Sequence, residues 1–86
     1  MNIKPWLLYL LECEGGRIYA GITNDLEARF AAHLAGTGAK FTRANPPIRI
    51  LGSRPFENRS EASKAEYRIK RLPRERKIDF LEGKTA

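Results

Sequence analysis

Residues 6–22 read Trp6-Leu7-Leu8-Tyr9-Leu10-Leu11-Glu12-Cys13-Glu14-Gly15-Gly16-Arg17-Ile18-Tyr19-Ala20-Gly21-Ile22, and the length of the turn inside this stretch decides how the chain folds. Trp6 to Glu12 is an apolar run of strand length, Glu14-Gly15-Gly16 has turn chemistry, and Arg17 to Ile22 reads as the returning strand. Side chains alternate faces along a strand, so register determines which of them meet. A two-residue turn at Gly15-Gly16 would set Tyr9 against Ile22 and Tyr19 against Glu12, with the tyrosines on opposite faces. A three-residue loop, Glu14-Gly15-Gly16 with Gly16 left-handed in a G1 bulge, pairs Cys13 with Arg17 and Leu11 with Tyr19, so Tyr9 and Tyr19 face the same way. The sequence predicts the odd-length loop.

Outward from the hairpin, Thr23-Asn24-Asp25 supplies cap residues for a helix whose Leu26, Phe30 and Leu34 form an apolar stripe, ending near Gly36 or Gly38. Gly36 to Asn45 reads as a basic loop, Pro46-Pro47 excludes helix, and Ile48 to Ser53 begins a third strand. Ser60 is a cap for a second helix carrying Ala62, Ala65, Ile69 and Leu72, and Pro73 stops it and opens a third. The expected fold class is α/β of the α+β kind: a small three-stranded antiparallel sheet flanked by helices, in the order β-β-α-β-α-α. With 86 residues and no repeat, linker or low-complexity run, residues 1–86 read as one small domain whose core is barely large enough for independent stability.

The net charge of +6 is unevenly spread. Between Lys40 and Lys77 there are twelve Lys or Arg against four Glu, while the rest of the chain is slightly acidic. Such a half suits an anionic polymer, with affinity that falls steeply with salt; a solvated surface, an acidic protein or an anionic membrane surface satisfies charge alone. The single Cys13 has no partner for a disulfide or a metal site and reads as a small apolar strand residue, which fits a reducing compartment. Trp6 to Leu11 is too short to span a bilayer and is soon followed by Glu12 and Glu14. The expectation is a cytoplasmic protein with no membrane partner.

Five polar side chains stand out: Tyr9, Tyr19, Arg29, His33 and Glu66. Two hydroxyls, a guanidinium, an imidazole and one carboxylate are the parts needed to cut a phosphodiester with a single metal ion. Asp25, Arg29 and His33 are four apart and line one helix face beside the apolar stripe. Arg29 there has either a surface pairing with Asp25 or a reach over the sheet toward a phosphate, for which its bidentate fork is suited. Glu66, between Ala65 and Ile69, either pairs with Lys70 one turn on or points along the sheet face.

These residues carry a family resemblance over nearly the whole chain. Leu7-Leu8-Tyr9 followed by Tyr19-Ala20-Gly21 resembles the paired signature of the GIY-YIG nuclease superfamily, although Leu7 replaces its opening glycine and Ala20 its middle residue. Asn24 to His33 is similar to that family's helix with its arginine, and Ala62 to Lys70 to its second helix with the metal-binding glutamate. Within the superfamily the chain is most similar to the small stand-alone YhbQ-like group, UPF0213, which shares a Gly-rich basic loop like Gly36 to Lys40.

The resemblance implies a metal-dependent endonuclease-like domain hydrolysing DNA, directed by structure or ends rather than by sequence, and leaving 5′-phosphate and 3′-hydroxyl products. It implies one Mg²⁺ or Mn²⁺ held by Glu66 with waters, Arg29 on the phosphate, Tyr19 or Tyr9 as the base, and His33 orienting the water, relaying a proton or supporting a tyrosine. Lys40, Arg43, Arg68, Lys70, Arg71 and Arg74 would hold flanking backbone, and Phe41 would stack on an unpaired base. DNA is favoured over RNA, and the protein is expected to be a monomer or weak oligomer. The absence of an appended targeting domain keeps open the alternative of a non-catalytic nucleic-acid binder in a DNA repair or recombination complex, with a protein partner supplying the target.

Overall fold

The computed structural model describes residues 4–83; residues 1–3 and 84–86, the ends of the expected 1–86 unit, lie outside the described residues. Strand β1 (Trp6–Cys13) runs into a single 3-10 turn over Glu14–Gly16 and returns as β2 (Arg17–Thr23). Cys13 pairs with Arg17, Leu11 with Tyr19 and Tyr9 with Gly21, so the loop has three residues and the tyrosines share a face. Both Gly15 and Gly16 have positive φ, 77° and 72°, which L side chains rarely adopt. The left-handed conformation therefore extends over one residue more than a Gly16 bulge requires.

Helix α1 (Leu26–Leu34) follows, capped by Asp25, whose carboxylate accepts from the Ala28 N–H. Asp25 pairs outward with Lys4 at 3.0 Å, so the Asp25 to Arg29 surface pair does not form. Gly36 closes α1: its N–H reaches His33 O and the Thr37 N–H reaches Ala32 O, the two bonds of a Schellman end. Of the expected stripe, Leu26 and Phe30 pack on the sheet, whereas Leu34 is 58% exposed because it falls beyond the sheet's cover.

The segment read as a basic loop contains a further short helix, α2 (Lys40–Ala44). Its extra turn changes the observed order to β-β-α-α-β-α-α around the expected three-stranded antiparallel sheet. Strand β3 (Pro47–Phe56) is longer than its predicted start, and pairs with β1 to give the sheet order β2-β1-β3. Being an edge strand, β3 tolerates Pro55, which lacks a donor for the ladder. Helix α3 (Arg59–Lys70) is capped by Asn58, not Ser60, since the Asn58 side chain accepts from Glu61 N–H. Helix α4 (Arg74–Leu81) begins after Pro73 as expected.

Period-two alternation in β1 divides the interior. Leu8 and Leu10 point to a cluster with Ala20, Ala65, Ile69 and Leu81 under α3 and α4. Tyr9, Leu11 and Cys13 point the other way, under Leu26 and Phe30 of α1. The buried Cys13 thiol, pushed up by burial, is a packing residue. Among the described residues no helix is long and apolar enough to cross a membrane.

Candidate active site

The polar network grows from the central strand. Tyr9 is 1% exposed, and its hydroxyl lies 2.8 Å from His33 Nε2. His33, also 1% exposed, has its Nδ1 2.7 Å from Thr42 Oγ1, and that hydroxyl donates to Ala39 O at 2.9 Å. A threonine hydroxyl has one proton. Because Thr42 spends it on the Ala39 carbonyl, Nδ1–H of His33 donates to Thr42, and the bare Nε2 accepts from Tyr9. The network thus selects a neutral imidazole with its proton on Nδ1, and burial, aided by Arg29, lowers the His33 pKa from its ordinary 6.5. Two glycines make room for it: a Cβ at Gly38 would collide with the His33 ring, and one at Gly21 would meet the Tyr9 ring and hydroxyl.

Arg29, one turn before His33, lies against the same hydroxyl. Burial pushes Tyr9 up to about 12, outweighing the hydrogen bond and charge of Arg29, which pull it down; Tyr19 and Glu66 add to the rise. Tyr19 sits beside both rings, 5.2 Å edge-on from His33 and 6.3 Å from Tyr9. Unlike Tyr9 it is only half-buried. Strand β2 is an edge, so α3, packed from the opposite face, brings Glu66 and Lys70 round to it. Lys70 Nζ is 3.0 Å from Glu66 Oε2 and 5.9 Å from the Tyr19 ring centroid. Glu66 therefore both pairs with Lys70 and lies at the tyrosine cluster.

The five singled-out side chains converge, whereas the expected binding residues divide. Phe41 of α2 stacks on Tyr19 at 5.8 Å, which uses one of its faces; Lys40 and Arg43 are exposed beside it. Lys70 joins Glu66, Arg68 and Arg71 line a cleft on the far flank of α3, and Arg74 reaches toward the turn glycine Gly16. Thr42 was not singled out by its sequence, because a threonine in a basic loop carries no signal until α2 turns it onto His33.

The donor set also bears on a metal. A hard divalent ion accepts one carboxylate completed by waters. The Glu66 side chain is 24% exposed and already holds a cationic group at Oε2. No group of three or more His, Cys, Asp or Glu suited to an all-protein cage occurs among the described residues. Glu66 fits a one-carboxylate site open to water.

The GIY-YIG catalytic domain model matches residues 5–79. A UPF0213 protein of Xanthomonas axonopodis pv. citri is 60% identical over 94% of this chain and 79% of its own length, and one of Cronobacter sakazakii is 43% identical over 98% and 88%. A protein of E. faecalis solved by solution NMR is 41% identical over 95% of this chain and 88% of its own, with a TM-score of 0.64. The solution structure of a UPF0213 protein from Bacillus halodurans is 37% identical over 92% and 84%, with a TM-score of 0.54. With the register that joins Tyr9 to Tyr19 and a match spanning most of its length, this chain belongs to the GIY-YIG catalytic domain family, within the UPF0213 group.

Proposed function

We propose that the protein is a divalent-metal-dependent endonuclease-like phosphodiesterase acting on DNA, directed by the structure or ends of its substrate. The observation that carries this reading is the directed chain from Tyr9 through His33 to Thr42, placed beside Arg29 and Glu66. A buried polar network whose members are all paired holds its side chains in one arrangement, here beside the guanidinium and the carboxylate. Glu66 is the residue that would hold one Mg²⁺ or Mn²⁺, whose chemistry there is neutralisation of charge at the scissile phosphate and the leaving oxygen.

The chain's own groups divide the remaining work. Arg29 binds a phosphate oxygen and stabilises the added negative charge of the transition state. Tyr9 is inaccessible to water and stays protonated at neutral pH, so it holds the His33 ring and the floor of the site. Tyr19, half-buried beside the Lys70 ammonium, is assigned as the general base: its oxygen, in the phenolate form, takes the proton of the attacking water and becomes the phenol. Lys40 and Arg43 hold flanking phosphates, which positions a strand without reading its bases.

The test is cleavage of labelled single-stranded, duplex, flap and branched DNA with Mg²⁺ or Mn²⁺. Glu66→Ala and Arg29→Ala are each expected to lower the rate by about 10²-fold or more. Cleavage that persists unchanged in both variants would overturn the site.

One observation favours a second reading. The Glu66 carboxylate is already neutralised by Lys70, as suits a non-catalytic nucleic-acid binder serving a DNA repair or recombination complex with a targeting protein. Salt-sensitive DNA binding with no cleavage under either ion would select that alternative.

A further inference from the structure

Two residues along a helix are about 160° apart around its axis, so Glu66 and Arg68 occupy opposite flanks of α3. On the Arg68 flank, β3, α3 and α4 enclose a cleft of about 700 Å³ lined by Arg54, Arg68, Arg71, Arg76, Phe56 and Phe80. Four arginines line it, and none of the ion pairs among the described residues engages them; the Arg71 guanidinium donates to the Tyr67 hydroxyl at the cleft's edge. The cleft's one carboxylate, Glu61, is paired with Lys64 at 3.2 Å.

Arg54 is held in place. Its guanidinium lies 5.2 Å from the Phe56 ring centroid and 5.6 Å from that of Phe80, and its NH1 donates to Phe80 O at 2.9 Å. A guanidinium carries five N–H donors, and a side chain already ordered loses less entropy on binding.

We propose that this cleft binds an unpaired nucleic-acid strand, with phosphates on Arg54, Arg68, Arg71 and Arg76 and a base against the apolar lining. The volume is that of a drug-sized ligand rather than a lone phosphate. Forked donors match phosphate oxygens pairwise, and the aromatic lining offers the stacking surface that a nucleobase uses.

A route connects the cleft to the Glu66 flank. An adjoining depression formed by Ser60, Ser63 and Tyr67 shares Lys64 and Arg68 with the cleft and crosses the outer face of α3. Tyr67 is 64% exposed, with the Arg71 guanidinium 5.2 Å from its ring. A strand leaving the Glu66 site would cross one helix diameter, about 10–12 Å, to reach the cleft. That continuity rests on the endonuclease reading, whereas occupancy of the cleft by a strand does not.

The experiment is a metal-free NMR titration of the ¹⁵N-labelled protein with 5′-phosphorylated (dT)10. Amide shifts are expected at Arg54, Phe56, Arg76 and Phe80 as well as at Tyr19 and His33. Arg68→Gln with Arg76→Gln, both exposed positions, is expected to weaken binding about ten-fold and to reduce the salt slope by about 1.4, or ~0.7 per single-strand contact. The variant's own spectrum reports that it is folded. Shifts confined to the Tyr19 and His33 side, with the double variant binding like the parent, would overturn the cleft proposal and leave the function standing. Shifts confined to the cleft would support it and count against the endonuclease reading. A deca-glutamate peptide that shifts the cleft residues at equal or tighter affinity would overturn the nucleic-acid assignment in favour of an acidic protein.

Discussion

The two faces of β1 contrast sharply although they alternate residue by residue. Leu8 and Leu10 enter an aliphatic cluster closed by Ala65, Ile69 and Leu81. Tyr9, between them, enters a chain of buried hydrogen bonds through His33 and Thr42. Burial of the leucines is favourable in itself, about 1.5–3 kcal/mol for a fully buried side chain. Burial of the tyrosine hydroxyl and the imidazole is tolerable only because each polar atom has a partner. The aliphatic face supplies stability, and the polar face depends on a precise set of neighbours.

The largest test of this contrast exchanges adjacent positions. Leu10→Ala is expected to cost about 2–5 kcal/mol in urea unfolding while cleavage is retained at temperatures where the variant is folded. Tyr9→Phe leaves the buried His33 Nε2 unpaired and is expected to cost about 1–3 kcal/mol, but to reduce cleavage about 10²-fold through misplacement of His33. Equal loss of activity in both folded variants would break the division of labour.

A smaller effect sharpens the polar side. Thr42→Val removes the acceptor for His33 Nδ1–H and leaves a buried donor unpaired, at about 1–3 kcal/mol. The ¹⁵N shifts of the ring should then report a changed tautomer population. An unaltered imidazole spectrum would show that Thr42 does not set the proton's position.

The smallest effect is in pH. The folded chain holds His33 neutral with a lowered pKa, whereas the unfolded chain protonates near 6.5, so the unfolded state binds more protons in the window below that value. The stabilisation is full above pH 6.5 and is lost as pH falls through the depressed folded pKa. The urea midpoint should drop between pH 7.5 and 5.5, and by less in His33→Gln; an equal drop in both would assign the pH dependence elsewhere. At the alkaline end, absorbance at 295 nm should contain a tyrosinate step at about 12 that disappears in Tyr9→Phe.

Local chemistry made much of the molecule readable. Apolar runs of strand length on either side of Glu14-Gly15-Gly16 were enough to place the hairpin, since they depend on neighbours in the chain, and the requirement that two tyrosines share one face chose the three-residue register. Asp25 at α1 and Pro73 before α4 were readable for the same reason. The cap of α3 went to Asn58 in place of Ser60 because either side chain suits that role, and only the path of the chain out of β3 chooses between them. Helix α2 was hidden by a segment of glycines and cations with no apolar period.

The residue types that meet at Tyr9 were thus determined by the sequence alone, as was the basic second half. Only the tertiary structure decided that Thr42 completes the His33 chain, that α3 carries Glu66 and Lys70 round the β2 edge to Tyr19, and that Arg54 joins Arg68, Arg71 and Arg76 in one cleft. Those meetings join residues from separate elements. Strand pairing and helix packing set their distances, and no local pattern encodes them.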